Sequence, residues 1–175
     1  MNYEHKTMNR NKEFNMEKFV ISVLVENKFG VLARVAGLFS ARGYNINSLA
    51  VGETEAPEVS RMTIVVDADE RIFEQVKKQL NKLIDTIRVQ DLTGGEYVDR
   101  ELIFIKVKAE KIGIREKIVK IVDSTGAEIV DIGKKSFTVE ESGDEHRIKA
   151  LIELLRPYGI LEIVRTGKIA IQCDN

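Results

Sequence analysis

Residues 19–53 read FVISVLVENKFGVLARVAGLFSARGYNINSLAVGE, and the change of period inside this stretch decides the fold. Phe19–Val25 is a short apolar, β-branched run, the pattern of a strand buried on at least one face. Beyond Gly30 the apolar residues fall at Val31, Leu32, Val35, Leu38 and Phe39, one face of a helix, and Gly43 stands where a glycine commonly ends one. Asn45–Glu53 returns to strand character. A strand, a turn with one glycine and a helix is also how phosphate-binding loops are built. The stretch therefore poses a question about ligand as well as fold.

Working outward, Val59–Val66 reads as a further strand, joined to Asn45–Glu53 by the loop around Pro57. Asp69 is placed to cap the next helix, whose apolar positions Phe73, Val76, Leu80 and Leu83 share one side. Ile87–Leu92 alternates and closes the unit as a strand. The order is βαββαβ, and it recurs after the turn at Gly94-Gly95. Glu101–Ala109 is a strand; Ile114, Ile118, Ile121 and Val122 mark a helix; Glu128–Ile132 and Phe137–Glu141 are the middle strand pair. Ile148, Leu151, Ile152 and Leu155 mark the second helix, stopped by Pro157 and Gly159, and Ile160–Val164 and Ile169–Ile171 are final strand segments. The fold class is α+β, two tandem ferredoxin-like units over residues 18–93 and 94–175, behind a polar leader of residues 1–17 expected to be disordered.

In the usual ferredoxin-like order the second strand lies at a sheet edge. Here that strand carries no Lys, Pro or inward charge before Glu53 to block pairing, which points to a homodimer.

Composition excludes several function classes. The chain has 175 residues with net charge −1, and its Lys and Arg are dispersed, against a nucleic-acid binder that neutralises phosphates. No apolar stretch approaches the roughly 20 residues of a membrane span, and the leader lacks a signal-peptide core. A single cysteine, Cys173, fits a reducing cytoplasm.

Catalytic and metal motifs are likewise missing. Gly30, Gly37 and Gly43 are too widely spaced for a dinucleotide fingerprint, and neither Gly133-Lys134 nor Gly167-Lys168 completes a phosphate loop. The two histidines, His5 and His146, are distant from each other and from Cys173, which argues against a metal site. His146 reads as an exposed helix residue and Cys173 as a partly exposed tail thiol. Glu140-Glu141 and Asp144-Glu145 read as turn and helix-cap charges. A small enzyme such as an acylphosphatase would need a positioned Arg in a phosphate loop, where this turn has Lys28. No catalytic residue, metal or cofactor of its own is expected.

What remains is the first strand–turn–helix. Free N–H groups at a helix N-terminus hold carboxylates as readily as phosphates, and Gly30 lets a small ligand approach the backbone. The amide of Asn27 can accept from an ammonium or donate to a carboxylate, and Asn45 offers the same chemistry at a second point. If the second strand pairs across a dimer, Asn45 could reach a ligand held by the partner's turn. A free amino acid suits such a site. On spacing alone, turn and strand-entry roles for Asn27, Gly30 and Asn45 remain open beside this one.

The stretch VLVENKFGVLARVAGLFSARGYNINSLAVGETE, followed by SRMTIVV, closely resembles the start of the small, regulatory subunit of acetolactate synthase (acetohydroxyacid synthase). The likeness continues through QLNKLIDTIRVQDL, VDRELIFIKVKA and RTGKIAI, across residues 18–172. The resemblance implies an N-terminal ACT domain, the amino-acid-sensing form of βαββαβ, and a C-terminal ferredoxin-like domain. It implies a non-catalytic protein that binds the large, thiamine-diphosphate-dependent catalytic subunit, activates it and confers feedback inhibition by a branched-chain amino acid, commonly valine, otherwise leucine or isoleucine. It also implies effector contacts at Asn27, Gly30 and Asn45, with Phe29, Val31 and Leu32 in the same turn and Ile46 beside Asn45. The leader has no recognised counterpart, and the ending IQCDN lacks the basic tail of many members. The alternative reading is a stand-alone ACT-type amino-acid sensor, which has neither a helix-turn-helix segment nor a basic patch to support it.

Overall fold

The computed structural model of the chain describes residues 17–174, and the expected leader lies almost wholly outside them. The first unit runs β1 (Glu17–Glu26), α1 (Val31–Ser40), β2 (Ile46–Glu53), β3 (Val59–Ala68), α2 (Glu70–Leu80) and β4 (Thr86–Asp91). Its sheet has the order β2-β3-β1-β4, with every neighbouring pair antiparallel, so β2 is an edge strand. Alternation along β1 sends Phe19, Ile21, Val23 and Val25 into one core with Val31, Val35 and Phe39 of α1 and Phe73, Val76 and Leu80 of α2. Phe19 and Phe73 stack with ring centroids 4.0 Å apart, and Asp69 caps α2 by accepting from Ile72 N at 2.7 Å.

The second unit runs β5 (Tyr97–Lys108), α3 (Ile112–Thr125), β6 (Glu128–Ile132), β7 (Ser136–Gly143) and α4 (Glu145–Leu155). A short 3-10 turn, Arg156–Tyr158, then leads to β8 (Ile160–Arg165) and β9 (Ile169–Gln172). The strand order β6-β7-β5-β8 repeats that of the first unit, and Ile103, Ile105, Val107, Ile118, Val139, Ile148, Leu151 and Leu155 fill its core. Asp144 caps α4 by accepting from Arg147 N at 2.9 Å. Two neighbouring charges differ from the sequence reading. Glu140 and Glu141 lie within β7, and Glu141 is buried against the core face with Arg147 Nε 3.0 Å from its Oε1.

Strand β5 is longer than its sequence suggested, and this organises the junction between the units. Residues Glu101–Lys108 pair with β7 and, over Ile103–Val107, with β8, while Tyr97–Arg100 pair with β9. Both β8 and β9 are antiparallel to β5, so together they form one interrupted strand beside it. Thr166–Lys168 stand opposite Glu101–Leu102, one residue in excess, which is a bulge. Beyond that bulge β9 leaves the second core and lies against the first sheet. Ala170 is buried there with Val20, Val65 and Leu92, and Tyr97 packs at the margin.

Candidate functional site

The turn between β1 and α1 is built around Gly30, which caps the helix at φ +80, in the left-handed region that favours glycine. No side chain caps α1 and its first turn has no acidic residue, in contrast to α2 and α4 with Asp69 and Asp144. No carboxylate of α1's own cap or first turn compensates the positive end of its dipole. Beneath it, Arg34 Nε pairs with Asp85 Oδ2 at 2.7 Å, and Asp85 O accepts from Glu26 N at 2.9 Å. Asp85, almost fully buried, thus ties the turn to the entry of β4. Sequence reasoning missed this brace, because the loop IDTI gives no local sign that its carboxylate meets a helix some fifty residues earlier in the chain.

Each expected site residue takes a definite place. Asn27 donates its Nδ2 to Glu53 Oε1 at 3.1 Å and to Pro57 O at 2.9 Å. Its amide nitrogen is engaged, which leaves the carbonyl oxygen as the end available to an ammonium group. Phe29 is fully exposed at 103% and Leu32 is exposed at 46%, so two large apolar side chains flank the helix start. Val31 is buried in the core and its N–H is directed to Lys28 O at 3.3 Å, so its side chain faces away from solvent. Asn45 is exposed just ahead of β2, and Ile46 is half-buried against the first core.

Within one chain these residues fall into separate groups. Asn27 follows the pair Glu26↔Val59, whereas Asn45 precedes the pair Ile46↔Val66. The ends of the sheet are therefore separated by the run of β3 from Val59 to Val66, on the order of 20 Å at about 3.3 Å per residue. A single small ligand cannot touch both groups in one copy.

Among the described residues there is no group of three or more His, Cys, Asp or Glu placed to hold a metal ion. His146 is exposed at the start of α4 and Cys173 is a free, half-buried thiol. No helix of the described residues is long and apolar enough to cross a membrane.

A second cluster of charges lies at the seam between the units. Lys18 Nζ is 2.6 Å from Glu145 Oε1, and Lys168 Nζ is 2.5 Å from Asp99 Oδ2 and 3.7 Å from Glu145 Oε2. Buried Glu101 accepts from both Nε and Nη2 of Arg165, the former at 2.7 Å. The hydrogen bond from Lys18 holds the Glu145 carboxyl below its ordinary value of 4.5. Burial, the largest single influence, works to lower Lys168, but its bond to Asp99 and the nearby charges of Asp99 and Glu145 together raise it above its ordinary value of 10.5.

A carboxyl with a depressed pKa stabilises above its unfolded value and loses that contribution as pH falls through the folded one. A raised lysine stabilises below its unfolded value and fails as pH rises through the folded one. The seam is therefore expected to hold from about pH 4.5 to about 10.5 and to loosen outside that window. Lys18 and Glu145 are half-exposed, so their pair contributes at most about 1 kcal/mol. Melting curves of the wild type and Glu145→Gln should differ slightly at neutral pH and converge in acid. A gap that widens in acid would contradict this.

A βαββαβ unit with an antiparallel sheet and β2 at its edge is the architecture of an ACT domain, here followed by a second ferredoxin-like unit. Residues 21–88 match the family described as AHAS small subunit-like ACT domain, and residues 100–174 match the family described as small subunit of acetolactate synthase. The chain belongs to the acetolactate synthase small-subunit family. It is 50% identical to the acetolactate synthase small subunit of Mycobacterium leprae, over 86% of this chain and 89% of that one. It is 46% identical to that of Aquifex aeolicus, over 90% and 82%. The crystal structure of the acetolactate synthase small subunit from Thermotoga maritima superposes with a TM-score of 0.81 at 35% identity, covering 91% of this chain and 99% of the other. The two-unit architecture is thus shared along nearly the whole chain.

Proposed function

We propose that this chain is the regulatory subunit of acetolactate synthase. It binds the large, thiamine-diphosphate-dependent catalytic subunit, raises its activity and makes that activity sensitive to a branched-chain amino acid, valine in the first instance. The chain itself performs no catalysis, needs no cofactor and works in the cytoplasm. Family membership supports the role, and one geometric observation carries the site: the effector-facing residues stand at opposite ends of an edge strand.

That observation calls for a homodimer. If β2 pairs antiparallel with β2 of a second copy, the two-fold axis passes near Leu49-Ala50. The start of one β2 then lies beside the end of the other, which brings Asn45 and Ile46 of one copy to the Glu53 end of its neighbour. There Glu53 already holds Asn27, close to the Gly30 turn. The ligand's carboxylate sits against the free N–H groups of α1, its ammonium meets the Asn27 carbonyl oxygen, and its side chain rests among Phe29, Leu32 and Ile46. Backbone approach at Gly30 and Val31 completes the turn. Effector occupancy shifts the population of dimer arrangements, and the catalytic subunit responds to that shift.

Reconstitution tests the role. Adding the purified chain to the large subunit should raise acetolactate formation several-fold, and valine should then inhibit the complex but not the large subunit alone. A large subunit whose activity and valine response are the same with and without this chain would contradict the proposal.

A further inference from the structure

The effector-facing start of β2 is wired to the second unit by a contact that neither the fold nor the proposed site requires. Strand β2 has a register shift between Ile46 and Ser48, with Asn47 as the extra residue held by Asp67 Oδ2 at 2.5 Å. Such a bulge re-aims the next side chain. Here it turns Ser48 onto the face opposite the helices, level with Val65, where its Oγ accepts from Lys168 N at 2.8 Å.

The partner segment is equally specific. Gly167 has φ +83, and a Cβ at that position would stand 2.7 Å from Ser48 Oγ and 3.5 Å from the Leu49 carbonyl oxygen. Both its conformation and its clearance therefore require glycine. Gly167 and Lys168 belong to the bulge that separates β8 from β9. The next strand residue but one, Ala170, is buried on the first sheet with its N–H 3.4 Å from Thr63 Oγ1. Strand β9 pairs with Tyr97–Arg100, and β5 continues from there into the middle of the second sheet.

A continuous path thus runs from Asn45-Ile46 through the Asn47 bulge and Ser48 to Lys168, β9 and β5. Resting on the effector reading above, we infer that Ser48 and Gly167 are positioning residues that transmit effector occupancy at the start of β2 to the C-terminal unit. Ordering of Asn45-Ile46 by the ligand fixes the Asn47 bulge and so the direction of Ser48 Oγ. The backbone N–H of Lys168 follows that acceptor, and β9 moves with it as a lever on β5. Reciprocity of coupling means that holding β9 also favours the ligand-bound form of β2.

Amide hydrogen exchange of the full chain with and without valine tests this directly. In the wild type valine should slow exchange in Ile46–Glu53 and also in Ile169–Gln172, the latter by about fivefold or more. Ser48→Ala should keep valine binding and the β2 response but lose the β9 response to within about twofold, and Ser48→Thr, which keeps the hydroxyl, should restore it. A merely structural hydroxyl would alter β9 exchange equally with and without valine. Protection of β2 without any effect on β9 in the wild type overturns the inference and leaves the effector site standing, and that comparison needs no variant. A β9 response that survives in Ser48→Ala also overturns it. If valine produces neither protection nor heat, the effector reading fails and takes the inference with it.

Discussion

Gly30→Asp is expected to abolish valine binding while the chain still folds and still activates the catalytic subunit. At φ +80 any side chain is strained, by roughly 1 kcal/mol for a residue such as Asp that tolerates this region. A Cβ there would meet only Nη1 of Arg34, the half-exposed far end of that side chain, at 3.2 Å. The new carboxylate would also sit at the positive end of α1, which returns about 0.3–1 kcal/mol. Stability should therefore change little. Binding should not survive, because the variant supplies its own anion where the ligand's carboxylate belongs and repels it there. A loss of at least about 100-fold, or roughly 2.7 kcal/mol, is expected by calorimetry. Gly30→Asn carries a similar size and strain without the charge and should lose less. Equal losses for the two variants would assign the effect to size, and unchanged affinity in Gly30→Asp would remove the site from this turn.

Val51→Glu should convert the dimer to monomers and remove effector binding with it. Val51 lies near the middle of edge strand β2 and is 45% exposed in the single chain, so the monomer tolerates a charge there within about 0.5 kcal/mol. Pairing of two β2 strands about Leu49-Ala50 would instead set each new carboxylate opposite Ser48 of the other copy, inside the strand–strand contact, where a charge on the edge opposes pairing. Sedimentation equilibrium should show a monomer at concentrations where the wild type is dimeric. Valine titration of the same sample should give no saturable heat, since each site has lost its second wall. Undiminished valine binding by a proven monomer would show that one chain suffices.

The sequence made the element order legible because each element announces itself locally. Short apolar, β-branched runs such as FVISVLV, the helical spacing of Val31, Val35, Leu38 and Phe39, and Asp69 one residue ahead of α2 all act within a few residues. What stayed hidden depends on partners far along the chain. Tyr97–Arg100 reads as a charged approach to a strand, and only β9 makes it one. Glu101 and Glu141 look like solvent charges and are buried because Arg165 and Arg147 reach them. The charges at the seam join residues as distant as Lys18 and Glu145. Residue chemistry singled out Asn27, Gly30 and Asn45 beside a bland turn reading and the family likeness added weight to them, but only the strand register shows that the two ends of β2 cannot serve one ligand in one copy.

A mixing experiment tests the shared site most directly. Gly30→Asp damages the turn that holds the ligand, and Asn45→Ala damages the wall that the neighbouring copy supplies. Each variant alone should bind valine poorly by calorimetry. When the two are unfolded together, refolded and titrated, mixed dimers should regain one intact site each, formed by the turn of the Asn45→Ala chain and the Asn45 of the Gly30→Asp chain. Recovery of near wild-type affinity at reduced stoichiometry is the predicted result. Failure to recover any binding, or full binding by Asn45→Ala alone, would contradict a site shared between two chains.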